Sequence, residues 1–358
     1  MKKLIFILHL SLSFCCYAKE DPVITEFSNI QKLKGSVVPI KSIDLGEVVD
    51  MEIMDSLLVL NEMFSDKIYK VFNINTGKLL EKGINKGKGP NELIYPGRIH
   101  VLGKNKFAQY DRGRKQLDLF TVGGESFLQF SNALKVGPGG FEIYPVNDSV
   151  LLCTGIFEKG RYCLVDSKTG KSQVSGPYPD FQATSKLDDA NLAMIYQPGI
   201  TIKPDRKQFA CFEGSAGYFE IIAITDLSTK RSCIKNYFGP GITMREGHAV
   251  NTRDNLYTFH SATSTNNYIY VIYAGKSREE FESECYAGDN LLVYNWQGKP
   301  LVNYKLDRSL KIMTLDKEKM IVYGFSTNPV TGEPEVIKYQ LPKVTKDLLP
   351  FLLFRVRL

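Results

Sequence analysis

Residues 67–80, KIYKVFNINTGKLL, carry the pattern that decides the fold. An apolar run ends at Asn73, a polar turn passes through Gly77, and a second apolar run begins at Leu79. Two short runs separated by a glycine-containing turn predict a pair of antiparallel strands. The same order returns at residues 162–174, YCLVDSKTGKSQV. The stretch therefore indicates a repeated β unit.

The repeat has a measurable period. The turn glycines Gly77, Gly124 and Gly170 are 47 and 46 residues apart. Further apolar runs flank each turn, so that one period holds about four short strands, and six such units follow one another between residues 49 and 341. A degenerate repeat of this length with four strands per unit is typical of a β-propeller blade. We therefore predict an all-β, six-bladed β-propeller with four-stranded antiparallel blades.

The ring of a propeller has to be closed. The sixth unit lacks a clear fourth strand, and we expect the N-terminal run Val37–Ile43 to supply it, with the apolar tail 348–358 as a competitor. The main helix candidate is residues 276–285 (KSREEFESEC), inside a loop. Two separate β-sandwiches are the rival architecture, but they do not explain a turn that recurs at a constant offset.

Composition excludes several classes of protein. The chain has 358 residues, of which 43% are hydrophobic and 11% aromatic, too many for a disordered protein. The net charge is +6, and basic residues stand mostly singly between acidic ones. We therefore expect no nucleic-acid partner, since such proteins show a basic patch or stripe.

The N-terminus predicts export. Lys2 and Lys3 precede the apolar run Leu4–Phe14, which is too short to span a bilayer. We assign residues 1–18 to a signal peptide that is either cleaved after Ala18 or belongs to a lipoprotein, with Cys16 or Cys15 as the lipidated residue. The propeller is assigned to residues 37–345, with residues 346–358 as an apolar tail packed on it. The expected location is the periplasm, the outer membrane or the cell surface, with membrane contact only through a lipid anchor.

Five further cysteines follow the signal segment, and none forms a C-x-x-C motif. Cys153 and Cys163 lie in neighbouring predicted strands, and we expect the same of Cys211 and Cys233. Disulfides are chemically allowed in an oxidising compartment, but a buried free thiol is the commoner state of a strand cysteine.

The phrase KGKGPNEL at residues 86–93 follows the first unit. We interpret Gly87, Gly89, Pro90 and Glu92 as a structural turn, in which the glycines adopt positive φ and Glu92 accepts backbone hydrogen bonds. It is not a phosphate-binding loop, because it leads into another β unit and lacks the G-K-[ST] ending.

This G-x-G-P-x-E phrase resembles a turn of TolB-like and NHL-like six-bladed propellers of Bacteroidetes envelope proteins, with Leu93 where that family usually has Phe. The order of residues 268–275, 291–299, 304–307 and 312–322 is similar to the C-terminal half of the same family. The resemblance covers most of residues 40–341. It implies the six-bladed fold and an envelope location, and it implies no substrate.

No catalytic motif stands out. The histidines His100, His248 and His260 do not have zinc-site spacing, and no G-x-S-x-G phrase occurs. The basic loop 112–115 (RGRK) is expected to be a solvated turn, with an acidic ligand as the alternative. We lean against an enzyme and expect a binding or scaffold module without a cofactor. Its partner would be another envelope protein, a peptide or a glycan, meeting the loops at the channel mouth; loop 275–289 is the most distinctive of these.

The alternative function is a calcium-dependent, lactonase-like hydrolase or lyase in the central channel. Calcium prefers hard oxygen ligands, and the inner strands of several blades converge on a propeller channel. The candidate metal ligands, one near each of four blade starts, are Glu52, Asp111, Asp205 and Asn255.

Overall fold

The computed structural model describes residues 21–123, 128–136, 140–284 and 286–342. The expected signal peptide with Cys15 and Cys16, the residue Cys285 and the expected C-terminal tail lie outside the described residues.

The described chain begins with a segment that precedes the first blade. It contains a 3-10 helix (Ile24–Glu26), two short strands and a second 3-10 helix (Ser42–Asp44). The strands are β1 (Ile30–Leu33) and β2 (Ser36–Val37).

Four separate sheets of four antiparallel strands follow. Blade 1 consists of β3 (Asp50–Met54), β4 (Leu57–Asn61), β5 (Lys67–Asn73) and β6 (Leu79–Asn85). Blade 2 consists of β7 (Pro96–Gly103), β8 (Lys106–Asp111), β9 (Gln116–Val122) and β10 (Leu128–Lys135). Blade 3 consists of β11 (Glu142–Pro145), β12 (Val150–Phe157), β13 (Gly160–Asp166) and β14 (Ser172–Ser175). Blade 4 consists of β15 (Pro198–Ile202), β16 (Gln208–Glu213), β17 (Gly217–Thr225) and β18 (Ser228–Phe238).

A hairpin, β19 (Ile242–Arg245) with β20 (His248–Asn251), separates blade 4 from one larger, eight-stranded sheet. That sheet contains β21 (Leu256–Ser264), β22 (Tyr268–Ser277), β23 (Gly288–Asn295), β24 (Pro300–Asp316), β25 (Ile321–Thr327) and β26 (Pro334–Gln340), together with β1 and β2.

The long strand β24 joins two sets of strands in this sheet. Its first part, from Pro300 to Lys305, pairs with β23, and its second part, from Leu310 to Asp316, pairs with β25. Blade 5 is therefore β21, β22, β23 and the first part of β24, whereas blade 6 is the second part of β24, β25, β26 and β2. The sequence predicted two separate units here; a continuous strand joins them because no glycine or proline interrupts residues 307–310.

The N-terminal segment completes blade 6. Ser36 and Val37 pair with Lys338 and Ile337 of β26, and the Val38 N–H donates to Val336 O at 2.8 Å. The sequence predicted this strand at residues 37–43. The observed strand begins one residue earlier, at Ser36, and already ends at Val37. It ends there because Pro39 has no N–H to continue the ladder. Strand β1 additionally pairs in parallel with the first part of β24, as a fifth strand at the outer edge of blade 5.

Aromatic side chains fill the spaces between neighbouring blades. Tyr69 of blade 1 packs against Phe107 and Phe120 of blade 2, with ring centroids 5.4 and 5.6 Å apart. All three side chains are fully buried or nearly so. Edge-to-face packing of this kind adds to the burial of apolar surface and fixes one blade on the next.

Two short helices lie in connections between strands. Helix α1 (Asp189–Ile195) begins after Asp188, whose carboxylate accepts the N–H of Asn191. Helix α2 (Arg278–Ser283) lies inside the segment predicted from sequence, and Ser277 begins it with a capping box. No helix of the described residues is long and apolar enough to span a membrane.

The four described cysteines have free thiols. Cys153 and Cys163 stand directly opposite each other on β12 and β13, as neighbouring strands require. The expectation for Cys211 and Cys233 was wrong, because strand β17 lies between their strands β16 and β18.

Candidate functional site

The innermost strands enclose a central channel. A cavity of about 390 Å³ is lined by β3, β7, β11, β15, β21 and residues at the end of β24, one inner strand from each blade. It lies toward the C-terminal ends of these strands. A second cavity of about 280 Å³ lies toward their N-terminal ends and shares Arg98 and Tyr144 with the first. We call them the turn-side and the loop-side cavity.

The names follow from the connections at the two ends of the blades. Short turns join the first strand of a blade to the second at one end, which we call the turn face. The links from second to third strand, and from one blade to the next, lie at the opposite end, the loop face. Helices α1 and α2, hairpin β19–β20 and the 3-10 helix at Ser42–Asp44 all belong to the loop face.

Two carboxylates from β3 face the turn-side cavity. Asp50 Oδ2 accepts the Ile99 N–H at 2.6 Å, and Glu52 Oε2 accepts the hydroxyl of Thr314 at 2.6 Å. Burial raises the pKa of Asp50. Burial and the neighbouring Asp50 carboxylate raise the pKa of Glu52 to about 7. The charge of this wall of the channel therefore changes near neutral pH.

Basic side chains lie near a third carboxylate of the channel, Glu142 of β11. His100 Nε2 lies 3.8 Å from Glu142 Oε1, and Arg112 Nη2 lies 3.6 Å from Glu142 Oε2. Arg98 donates only its backbone N–H to Glu142, at 3.2 Å. Within the described residues its guanidinium makes no ion pair and no hydrogen bond, although it lines the same channel as Asp50, Glu52 and Glu142, whose charges help to raise the pKa of Arg98 against the opposing effect of burial.

Three more cations lie where the turn-side cavity meets the turn face. Lys203 Nζ pairs with Asp205 Oδ2 at 2.9 Å, and Arg206 Nη1 donates to Val146 O at 2.8 Å. Lys317 is exposed, and no acidic group of the described chain pairs with it. With Arg98, four cationic side chains line a cavity that contains two carboxylates.

The loop face presents most of the exposed large apolar side chains. Thirteen such side chains are exposed in the described residues, and eight of them lie in loop-face connections or, for Ile156, at the loop-face end of strand β12. These eight are Ile43, Phe64, Tyr95, Ile156, Met194, Met244, Tyr286 and Val330. The turn face has one, Val101, and the other four are on β1 or on outer strands. Exposed apolar side chains are therefore concentrated at one end of the molecule.

The channel, the blade order and the closing strand can be compared with known proteins. A family model described as TolB-like 6-blade propeller-like matches residues 27–318, from the buried Phe27 to just past the end of β24. The chain belongs to this family. Among curated proteins, none matches the sequence.

Several solved structures have folds similar to this TolB-like propeller. A Bacteroides fragilis protein, described as a candidate exported protein, is 11% identical; the match covers 87% of this chain and 99% of that chain, with a TM-score of 0.54. The WD40 repeats of RRP9 are 8% identical over 83% of this chain and 81% of that chain, with a TM-score of 0.47. The Cps50 (Swd1) propeller domain of Myceliophteria thermophila is 9% identical over 83% of this chain and 84% of that chain, with a TM-score of 0.46. At these identities the likeness concerns the fold alone.

The four candidate calcium ligands of this TolB-like propeller do not meet. Glu52 faces the channel. Asp111 accepts the N–H groups of Ile94 and Tyr95 in the connection between blades 1 and 2. Asp205 lies in a turn beside Lys203, and Asn255 accepts the N–H of Gly241 at 2.7 Å. Among the described residues, no group of three or more His, Cys, Asp or Glu side chains is placed to hold a metal ion.

The GKGP phrase forms a turn closed by its own carboxylate. Glu92 Oε2 accepts the N–H of Gly89 at 2.8 Å, and Gly87 donates to Leu93 O. The expected positive φ at the two glycines was wrong; Asn91 is the residue of this turn with positive φ, at 59°. A Cβ at position 87 would lie 2.1 Å from Glu92 Oε2, so any other residue there would push this carboxylate away from the turn that it closes.

The three histidines and the basic loop 112–115 lie in different parts of the molecule. His260 Nε2 lies 3.0 Å from Leu310 O, and burial lowers the pKa of His260 to about 4. His248 is exposed on hairpin β19–β20, away from His100 in the channel. In the loop 112–115 both arginines contact protein groups: Arg112 lies near Glu142, and Arg114 donates to Glu92 O.

The sequence did not single out Asp50, Arg98 or Lys317. Asp50 is two residues from Glu52, and Arg98 is two residues from His100, so the alternation of an inner strand was the signal that could have found both. Lys317 stands in an ordinary polar turn, and only the ring places it at the channel.

Proposed function

We propose that this protein is an exported binding module of the cell envelope, and that the loop face binds another protein. The proposal rests on one observation: eight of the thirteen large apolar side chains exposed in the described residues lie in loop-face connections or beside them. Family membership and the exported description of the Bacteroides fragilis structure support the location.

The spacing of these side chains around the ring supports a protein as the partner. Phe64 belongs to blade 1, Ile156 to blade 3, Met244 to the link between blades 4 and 5, and Val330 to blade 6. A monosaccharide or a small solute would contact one or two of them. Only the surface of a folded protein reaches several at once, and exposed apolar side chains gathered on one face mark such interfaces.

Two of the long connections at the loop face present exposed methionines. Met244 is 52% exposed at the hairpin β19–β20, and Met194 is 53% exposed on helix α1. These two elements are held together, because the side chain of Asn191 donates to Gly247 O and accepts the N–H of Ala249. The flexible thioether of methionine adapts to an irregular partner surface.

Site-specific photo-crosslinking in the native envelope tests this proposal. A photoreactive residue at Met244 or Phe64 is expected to trap one and the same partner protein. Ile234, 47% exposed on the outer strand β18, is the matched control and should trap none of it. Equal trapping from Ile234, or no adduct from either loop-face position, would refute the loop face as the binding surface.

A further inference from the structure

We propose that the turn-side cavity is a binding site for a small organic anion, a carboxylate or a phosphate ester, whose acid group contacts Arg98 and Lys317. This site lies at the end of the channel away from the loop face. It is therefore independent of the partner protein, and either proposal can fail without the other.

Arg98 is the anchor of the site. Its backbone is held in the inner strand β7, while its half-buried guanidinium lines both cavities of the channel. Within the described residues no carboxylate or carbonyl accepts a hydrogen bond from it. A guanidinium has five donors in a planar fork that matches a carboxylate or a phosphate in a two-bond arrangement.

The neighbouring His100 leaves a second polar atom without a partner. His100 Nε2 is buried, lines the same strand wall and has no hydrogen-bond partner among the described residues. Its distance of 3.8 Å from Glu142 is too long for a hydrogen bond. A ligand that bridges Arg98 and His100 would satisfy both groups.

The mouth of the cavity is basic. Lys203, Arg206 and Lys317 surround it, and the charge of Lys203 is balanced by Asp205. Cationic groups around a concave site attract anions from solution and raise their rate of association. The volume of about 390 Å³ is within the range of small-molecule sites.

The carboxylates of Asp50 and Glu52 repel an anion when they are charged, but each of them already accepts a hydrogen bond from the protein. One oxygen of Asp50 accepts the Ile99 N–H, and one oxygen of Glu52 accepts the Thr314 hydroxyl. The charged groups that act on Glu52 are Asp50, Lys317 and Arg98. Because its pKa is about 7, Glu52 loses its charge as the solution becomes mildly acidic, and anion binding should then tighten.

Isothermal titration of the purified protein is the test, with succinate and glycerol 3-phosphate as the two anionic probes and inorganic phosphate as a third. Glucose and putrescine are the neutral and cationic references. We expect at least one anion to bind at millimolar or lower concentration and neither reference to bind. Succinate binding alone identifies a carboxylate site, whereas binding of the two phosphates alone identifies a phosphate site.

Variants locate the bound anion. Arg98→Gln should weaken binding about 10- to 100-fold, since it removes a charged donor pair, and Arg98→Lys should recover part of the loss. Thr263→Trp fills the cavity from strand β21 and should abolish binding without changing Arg98. Arg253→Gln, an exposed arginine in a loop-face connection, is the matched control and should leave binding unchanged.

The pH dependence supplies an independent readout. Succinate does not change its ionisation near neutral pH, so it is the probe for this readout. The wild-type protein should bind succinate more tightly below the pKa of Glu52 than above it, and Glu52→Gln should reduce this difference. The proposal is overturned if no anion binds at millimolar concentration, if Arg98→Gln binds as tightly as the wild type, or if putrescine or glucose is the better ligand.

Discussion

Replacing Phe27 by alanine tests whether the segment before the first blade holds the ring together. Phe27 is 4% exposed and packs edge to face on Tyr294 of blade 5, with ring centroids 5.1 Å apart. Burial of a phenylalanine side chain contributes roughly 1.5–3 kcal/mol, and the aromatic pair adds about 0.5–1.5 kcal/mol. We therefore expect Phe27→Ala to lower the free energy of unfolding by about 3 kcal/mol, near the low end for such truncations.

Urea denaturation followed by tryptophan fluorescence measures this change. Trp296 is the single tryptophan of the chain, is 4% exposed and belongs to the same buried cluster as Phe27. The control is Ile30→Ala in the same segment, where the side chain is 58% exposed and the expected change is within about 0.5 kcal/mol. A loss below about 1 kcal/mol for Phe27→Ala, or equal losses for both variants, would show that the segment is not part of the core.

Three further changes have defined outcomes. Gly87→Ala places a methyl group against the Glu92 carboxylate and should destabilise the protein by about 1–3 kcal/mol in urea denaturation. The control is Gly103→Ala, where an added methyl group has no other atom within 4 Å and should not destabilise the protein. Burial raises the pKa of Asp118 from its ordinary 3.8 to about 6, so its stability contribution is fully present below the ordinary value and is lost as pH rises through about 6. Asp118→Asn should therefore be more stable than the wild type at neutral pH, by up to about 3 kcal/mol. In a thermal-melting series the difference between the two proteins should vanish near pH 4. A difference that stays constant with pH would contradict the ionisation of Asp118 as its cause. Arg161→Ala removes a buried cation that pairs with both Glu213 and Glu220; Glu220 keeps Arg231, but the buried Glu213 loses its cation. The variant should cost about 3–5 kcal/mol in the same urea assay, and a loss under about 1 kcal/mol would contradict a paired buried charge.

The blade repeat could be predicted from the sequence because the strands alternate and their turns are marked by glycine. The first, second, fifth and sixth units were placed close to their observed strands, including residues 67–73 and 336–340. The fourth unit was incomplete. Its inner strand β15 (PGITI) is short and has exposed or half-buried residues at its start, so no clear run of alternation marks it.

Other elements depend on tertiary contacts. Helix α1 has seven residues, too few for a helical period to be recognised, and its cap Asp188 and its link to hairpin β19–β20 hold it in place. The parallel pairing of β1 with β24 joins residues about 270 positions apart, and no local pattern predicts such a contact.

The residues of the candidate site could also be predicted only in part from the sequence. Glu52 was found because a carboxylate near a blade start is conspicuous in sequence, but Asp111 and Asn255 have equally conspicuous positions and bind backbone groups instead. Which polar residue of an inner strand faces the channel depends on the register of all six blades. Alternation alone places Arg98 on the same strand face as His100, but only the assembled ring shows that this face lines the channel.

The most direct test of the central claim is the affinity of the crosslinked partner, purified, for three forms of this protein. Met244→Asp on the loop face should weaken binding at least about tenfold relative to the wild type, because it places a charge in an apolar contact. Ile234→Asp on the outer strand, at nearly the same exposure, should bind as the wild type does. Equal affinity of all three forms, or a loss confined to Ile234→Asp, would contradict a partner-binding loop face.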